Sequence, residues 1–372
     1  MNLSYWEYKS WFSNVDFTII GSGIVGLNCA LYLRGKYPQS KILVLEKGTL
    51  PEGASTKNAG FACFGSISEL CSDLKSHSED EVFGLVQRRY QGIQLLREML
   101  GDDNLGYERH GGHELFLDSK AELFDTCLEK MEGLNKLLQP IFGEGPFGKT
   151  TNIFGFKGVK EEYITHQFEG QIDTGKMMNA LLQKCLKKSI YILNGITAEG
   201  LSDLDNQVAI KTTHFEFNSA KVCVATNGFA SKLLKQEPVV PARAQVLITK
   251  PIKGLQIKGT FHLDEGFYYF RNIDDRILFG GGRNLDFKTE ETTGFGQTVL
   301  VQKQLEKLLQ TVILPKQKVE IDRRWSGIMG VGSQKSPILK QISSNVSCGV
   351  RLGGMGVALG SHVGRELAQI TG

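Results

Sequence analysis

A chain of 372 residues with 41% hydrophobic and 22% charged side chains has the makeup of a soluble globular protein, long enough for two domains or for one large domain carrying an insertion. Its net charge is +3, and Lys and Arg alternate with Asp and Glu without forming a basic stripe, so charge lends no support to nucleic-acid binding. No apolar run approaches the roughly 18 residues of a membrane span.

The first segment, Tyr5-Trp6 to Trp11-Phe12, is aromatic. It is expected to pack on the domain rather than to serve as a membrane-surface foot, because it lacks the Lys/Arg face of an interfacial helix. It also lacks the apolar core and cleavage site of a signal peptide. Val15-Asp16-Phe17-Thr18-Ile19-Ile20 reads as a buried parallel strand. It empties into Gly21-Ser22-Gly23-Ile24-Val25-Gly26 and a helix over 27–34, and a second buried strand over 41–45 ends on Glu46, twenty residues after Gly26. Each part suits a dinucleotide: Gly21 allows the tight turn, Gly23 lets backbone approach a pyrophosphate, and Gly26 lets the helix pack close to the strand. The helix N-terminus offers free N–H groups to phosphates, and Glu46 can accept hydrogen bonds from a ribose diol.

A loop of small and polar residues follows over 48–61. Helical periodicity over 79–100 sets Val82, Leu85, Val86, Tyr90, Ile93, Leu96 and Leu100 on one face. Next come a turn and strand over 111–117, an amphipathic helix over 120–138, and a helix over 176–188 opened by Gln171-Ile172-Asp173. Strands near 190–193 and 208–213 precede a buried strand from Lys221 that ends in the small-residue turn Ala225-Thr226-Asn227-Gly228. From Pro241 the texture changes to period-2 alternation, with strands near 244–249, 260–263, 267–271 and 276–280. These suggest an antiparallel sheet with one face available to line a pocket. The helical period returns over 299–309, and the chain closes with Trp325-Ser326-Gly327-Ile328-Met329-Gly330, a glycine cluster over 351–360 and a terminal helix.

A nicotinamide dehydrogenase usually completes its dinucleotide domain contiguously. Here the fingerprint opens the chain and the partner glycine cluster lies about 330 residues later. Gly280-Gly281-Gly282 follows a strand but leads into Leu285-Asp286-Phe287, where no helix is expected, so it is not a second fingerprint. One mononucleotide site with a distant glycine-rich closure suits FAD. The expected fold class is α/β: an FAD-binding Rossmann-like domain assembled from residues 1–78, 165–240 and 325–372, with an inserted α+β substrate domain, residues 79–164 and 241–324, that contains an antiparallel sheet.

In order and spacing these segments resemble the D-amino acid oxidase superfamily of FAD-dependent oxidoreductases, the group of glycine oxidase, sarcosine oxidase and glutamylputrescine oxidase. Residues 21–46 resemble its FAD fingerprint, and Ala54-Ser55-Thr56-Lys57-Asn58-Ala59-Gly60-Phe61 the segment that crosses the flavin pyrophosphate and ring. Pro241-Ala242-Arg243-Ala244-Gln245 resembles the start of the substrate sheet, and Trp325-Ser326-Gly327 and Gly353-Gly354-Met355-Gly356 the segments that bracket the flavin. The resemblance implies FAD held by Gly21, Ser22, Gly23, Ile24, Val25 and Gly26 with Glu46 and Lys47, and by Ser55, Thr56, Asn58, Ala59, Gly60 and Phe61. It adds Ala198, Ala225, Thr226 and Asn227, then Gly327, Gly353, Gly354, Met355, Gly356 and Val357. It also implies oxidation of an amine or amino acid at a C–N bond by hydride transfer to flavin, imine hydrolysis, and reoxidation by dioxygen or another acceptor. The alternative is a flavoprotein whose FAD is structural and whose role is assembly or partner binding.

No catalytic residue is assigned; the pocket candidates are Tyr268, Arg271, Met329 and Arg351. Tyr268 and Tyr269 alternate along a strand, so one of them faces the pocket. Lys57 can approach the flavin or stay solvated, and Arg283 and Arg323 are further anion-binding candidates. Relatives often place a carboxylate-clamping Arg where this chain has Met329, and another near Gly354, which puts small α-amino acids such as glycine and D-alanine in doubt as substrates. The flavin-linking Cys of monomeric sarcosine oxidases has no counterpart over 329–333, so FAD is expected to be non-covalent. The seven cysteines (Cys29, Cys63, Cys71, Cys127, Cys185, Cys223, Cys348) form no CxxC pair, which reads as reduced thiols in a cytoplasmic protein without a zinc site. His110 and His113 read as turn residues, not metal ligands. The expected partners are a small amine or amino acid and an electron acceptor, with no nucleic acid and no transmembrane segment.

Overall fold

Short aliphatic runs, buried on both faces, build the first sheet of the computed structural model, which describes residues 3–372. Five parallel strands lie side by side in the order Val346–Val350, Glu216–Val224, Val15–Ile20, Ile42–Leu45 and Tyr191–Leu193. Antiparallel strands finish it: Ile338–Gln341 beside Val346–Val350, and Val208–Thr212 with Ala198–Asp203 beside the first half of Glu216–Val224.

Helices cover this sheet, and glycine lets them approach. Ile24–Lys36 follows the first strand; a Cβ on Gly26 would meet the Gly21 carbonyl oxygen at 1.9 Å. The long helix Glu79–Leu100 crosses the terminal helix Gly356–Thr371 at Gly92, where a Cβ would stand 1.9 Å from the Ala358 carbonyl oxygen. One core cluster joins all three helices to the sheet through Leu27, Leu33, Val86, Ile93, Leu359 and Val363. The long helix therefore packs with the first sheet, although it belongs to the stretch expected to form the inserted domain.

The second sheet has eight strands in the order Ile321–Val331, Val240–Thr249, Arg276–Gly281, Tyr268–Ile273, Thr260–Leu263, Gly112–Leu115, Glu162–His166 and Phe147–Thr151. All neighbours are antiparallel except Thr260–Leu263 with Gly112–Leu115. One face carries an aromatic core in which Phe261 and Phe270 stack at 4.6 Å, joined by Leu305 and Leu309 from the helical segment after Thr298. A separate two-stranded antiparallel ribbon pairs Phe61–Ala62 with Gly170–Gln171.

Three expectations need correction. The strand Ile321–Val331 pairs along its length with Val240–Thr249, so Trp325 to Gly330 stand in the second sheet and a boundary at 324/325 cuts through a strand. Residues 287–290 do form one helical turn after the Gly280–Gly282 run, too short to be a fingerprint helix. The N-terminal aromatics do not all pack on the domain: Phe12 is buried, but Tyr5, Trp6, Tyr8 and Trp11 are exposed. One strongly placed anchor suffices to hold so short a helix, leaving the other rings without a surface to cover.

Candidate active site

The carboxyl ends of the parallel strands converge on the glycine turn. Gly21 adopts a left-handed φ of +107°, and a Cβ there would lie 2.7 Å from the Ala225 carbonyl oxygen, which brings the turn against the end of Glu216–Val224. Gly23 is the N-cap of Ile24–Lys36 and has no side chain to close it. The Ser55 hydroxyl accepts from the Ile24 N–H (2.9 Å), and no side chain among the described residues takes the N–H groups of Val25 or Gly26. Glu46 is buried at the end of its strand. Its Oε2 accepts from the Ser22 N–H (3.2 Å) and hydroxyl (2.6 Å), and its Oε1 from the Gly48 N–H (3.0 Å). The Thr226 hydroxyl is enclosed beside this turn with no partner among the described residues. Open first-turn N–H groups, a buried acid and an orphaned hydroxyl around one turn fit a bound dinucleotide. Lys47 points elsewhere, its Nζ 3.6 Å above the Phe229 ring and 3.9 Å from Glu52. Ala198 is buried two residues past Ile196, whose N–H reaches the Glu46 carbonyl (2.9 Å).

Residues 54–61 are held by their own side chains. Asn58 donates to the Ser55 carbonyl (2.7 Å) and accepts from the Gly60 N–H (2.8 Å) and the Thr174 hydroxyl (2.8 Å). Thr56 donates to the Pro51 carbonyl (2.7 Å). Gly60 is left-handed at +73°. Trp325 donates from its indole to the Lys57 carbonyl (2.9 Å), and Gly327 passes so close to Lys57 that a Cβ would lie 2.9 Å from the Lys57 Cβ.

The distant glycine cluster joins through Asn227. This residue is left-handed (φ +42°), and its Oδ1 accepts from the Leu352 N–H (3.1 Å), while the Gly353 N–H reaches the Gly330 carbonyl (2.9 Å). Gly354 and Gly356 have open space where a Cβ would stand, Met355 begins the terminal helix without a side-chain cap, and Val357 is buried. Arg351 is also left-handed (φ +63°) and buried, its Nη2 donating to the Ser336 carbonyl (3.0 Å).

Sheet register decides which side chains face the cofactor segments. Glu114, His262, Tyr269, Gly280, Val246 and Trp325 are successive partners across six strands and so share one face. Phe61 touches that face, its ring 5.2 Å from His262 and 5.7 Å from Tyr269. Tyr268 points the other way into the aromatic core, 6.4 Å from Phe279, so Tyr269 replaces it as the site-facing tyrosine. A Cβ on Gly280 would lie 2.7 Å from the Tyr269 ring, which explains one glycine of the rejected triplet: it makes room for that ring to lie across the sheet. Arg271 shares the site face but is not a free cation. It is 2% exposed, donates from Nε to the Ala59 carbonyl and from Nη2 to the Ile172 carbonyl (2.8 Å), and burial lowers its pKa to about 10. Met329 stands on this face as well, opposite Ala242. Burial lowers the His262 pKa to about 4 and raises that of Tyr269 to about 12, so both are neutral near pH 7.

Beside this face lies a polar cluster that the sequence reading missed. Arg89, fully buried, donates to the Phe64 carbonyl (2.8 Å), pairs with Glu69 (2.8 Å) and contacts the Met355 sulfur. Lys335 pairs with Glu69 (3.0 Å) and Asp73 (2.6 Å). Burial alone would raise the Glu69 pKa, but the charges of Arg89 and Lys335 hold it well below the usual carboxylate range. Glu169 accepts from the Phe64 N–H (2.6 Å) and Gly65 N–H (3.1 Å), Glu114 from the Ser68 N–H (2.9 Å), and burial pushes both acids to about 7. A signal for Arg89 existed: it falls between Val86 and Ile93 on the apolar stripe of the long helix, where a charge needs a buried partner. His113 packs between Tyr163 and Phe261 with Nδ1 on the Thr165 hydroxyl (2.8 Å), and no metal-binding cluster occurs among the described residues.

The sequence pattern of the family described as "DAO: FAD dependent oxidoreductase" matches residues 16–370. The chain is 22% identical over 376 aligned positions to "Probable oxidoreductase OrdL" of Haemophilus influenzae, spanning 96% of this chain and 82% of that protein. Its fold is similar to that of L-proline dehydrogenase from P. horikoshii, with a TM-score of 0.77, 18% identity, and coverage of 96% of this chain and 92% of the other. Glycine oxidase from Geobacillus kaustophilus superposes equally well (0.77, 18% identity, 96% and 94% coverage).

Proposed function

The chain belongs to the DAO family of FAD-dependent oxidoreductases, and from that premise we propose that it oxidises an amine or amino acid at a C–N bond, with FAD held non-covalently. When bound, FAD supplies the hydride acceptor, leaving an imine that water hydrolyses. The chain's own contribution is binding and exclusion of water. The Gly21–Gly26 turn, Glu46 and Thr226 are suited to hold the dinucleotide end, and residues 54–61 with 353–357 to hold the flavin end. Dioxygen or another acceptor completes the cycle.

The observation that carries the substrate reading is that the site-facing side of the second sheet presents no free bidentate cation. His262 and Tyr269 are uncharged, Met329 is apolar, and the Arg271 guanidinium, still charged, is turned onto the carbonyls of Ala59 and Ile172. A small α-amino acid would bury its carboxylate without a bidentate partner, at a cost of several kcal/mol. Glycine and D-alanine are therefore expected to be poor substrates, and primary or secondary amines, or amino acids with a more distant carboxylate, better ones. Anaerobic mixing of the yellow protein with a panel of amines tests this by bleaching of the flavin. Bleaching by none of them would favour a structural FAD, and bleaching by glycine as fast as by the best amine would require an unrecognised clamp.

A further inference from the structure

The parallel sheet has two ends, and the cofactor segments occupy only the carboxyl end, at Gly21, Glu46 and Ala225. The amino end carries a different surface. Ahead of Val15, the two-turn helix of Tyr5–Glu7 and Tyr8–Phe12 is closed at its start by a Ser4–Glu7 capping box. It is pinned at its end by Phe12, 4.3 Å from Phe215 and 5.2 Å from Phe217. The rest of its aromatic surface faces water: Tyr5 is 65% and Trp6 71% exposed, with Tyr8 and Trp11 exposed beside them. Ahead of Ile42, Lys41 donates to the carbonyls of Ser13 (2.8 Å) and Lys9 (3.4 Å), which ties this helix to a groove lined by Arg34, Ser40, Lys41, Lys188, Ser189 and Tyr191. Ahead of Tyr191, the preceding helix leaves Leu186, Lys187 and Lys188 exposed. Lys9, Arg34, Lys36, Lys41, Lys187 and Lys188 have no ion pair to a carboxylate among the described residues.

Indole and phenol rings combine an apolar body with a polar edge and settle at the headgroup level of a bilayer. Unpaired Lys and Arg beside them attract an anionic leaflet. The cations come from three separate chain segments brought to one end of the sheet, so the helix needs no basic face of its own. A second copy docked through the same patch would set these cations against each other across a two-fold axis. We propose that this end of the molecule docks on an anionic lipid bilayer, with Tyr5, Trp6, Tyr8 and Trp11 in the headgroup layer and the exposed Lys9, Lys36, Lys187 and Lys188 reaching lipid phosphates. Arg34 and Lys41, held by main-chain carbonyls, shape the groove between them. The glycine turn and Glu46, at the opposite end of the strands, then face away from the membrane.

The test is sedimentation of the full-length holoprotein with phosphatidylcholine vesicles, with and without phosphatidylglycerol. Binding is expected only to the vesicles that contain phosphatidylglycerol, with a blue shift of tryptophan emission, and it should weaken as added salt shortens the Debye length below about 8 Å. Trp6→Ser with Trp11→Ser, and separately Lys187→Glu with Lys188→Glu, should each weaken binding roughly tenfold or more while the flavin spectrum stays unchanged. No binding to the anionic vesicles, or equal binding by the variants, overturns the proposal. So does lipid-free dimerisation that the tryptophan pair abolishes in sedimentation equilibrium, which assigns the patch to a second copy.

Discussion

The carboxyl end of the first sheet and the site-facing side of the second sheet do different work with different parts of the chain. At the first, main-chain groups dominate: an open helix N-terminus, a left-handed Gly21 and a close pass against Ala225, with Glu46 as the main side-chain contribution. At the second, everything rests on side chains and on what has already engaged them: Arg271 on carbonyls, His262 and Tyr269 neutral. A backbone site tolerates little variation in turn geometry and so writes a pattern. A side-chain site is set by neighbours far away in sequence, and can change its substrate while the cofactor end stays as it is.

The cluster that ties the two regions together should be the most sensitive. Arg89→Ala leaves the half-buried Glu69 beside Lys335 alone and removes the fully buried side chain that joins Phe64 to Met355, so a loss of about 2–3 kcal/mol in urea unfolding is expected. A loss below about 1 kcal/mol would mean that Lys335 carries Glu69 without help.

Glu169 offers a pH test. Its folded pKa of about 7 exceeds the ordinary 4.5 because burial favours the protonated form, so its contribution is complete below pH 4.5 and lost as pH rises through 7. His113, His166 and His262, lowered by burial to about 4, 3 and 4, act in the opposite sense and lose stability as pH falls below 6.5. The two trends mask each other in the wild type. Glu169→Gln should gain up to about 3 kcal/mol on the wild type between pH 5 and pH 8. Parallel stability curves for the two proteins would contradict the assignment.

At the cofactor end, Glu46→Ala should weaken FAD binding by about 1.5–3 kcal/mol, since it removes a charged acceptor and also frees Ser22 and Gly48. An unchanged FAD dissociation constant places the ribose elsewhere. At the substrate end, Met329→Arg should raise kcat/KM for glycine or D-alanine by roughly tenfold, the lower value of a charge-assisted pair, with FAD affinity unaltered. If that change alters FAD affinity instead, the two regions are not separable in the way the comparison holds.

Several elements were legible before the fold was known. Thr260–Leu263 and Glu79–Leu100 fall where period-2 and 3.6-residue patterns put them, and Val15–Ile20 with its glycine turn falls where the fingerprint does. The edge strands Phe147–Thr151 and Ala198–Asp203 were not legible, because their exposed faces dilute the apolar signal.

The amino-acid sequence by itself determined the glycine turn, the acid that closes the second strand and the discontinuous order of the segments, because local backbone geometry and buried periodicity leave a record in adjacent residues. The tertiary structure alone decided that Tyr269 rather than Tyr268 faces Phe61, that Arg271 is already saturated, and that Arg89 joins Glu69 to Met355. It also decided that the N-terminal rings share one end of the sheet with Lys41 and Lys188. Alternation along a strand says that two neighbours face opposite ways, but which way meets the cofactor depends on the register of strands more than a hundred residues apart.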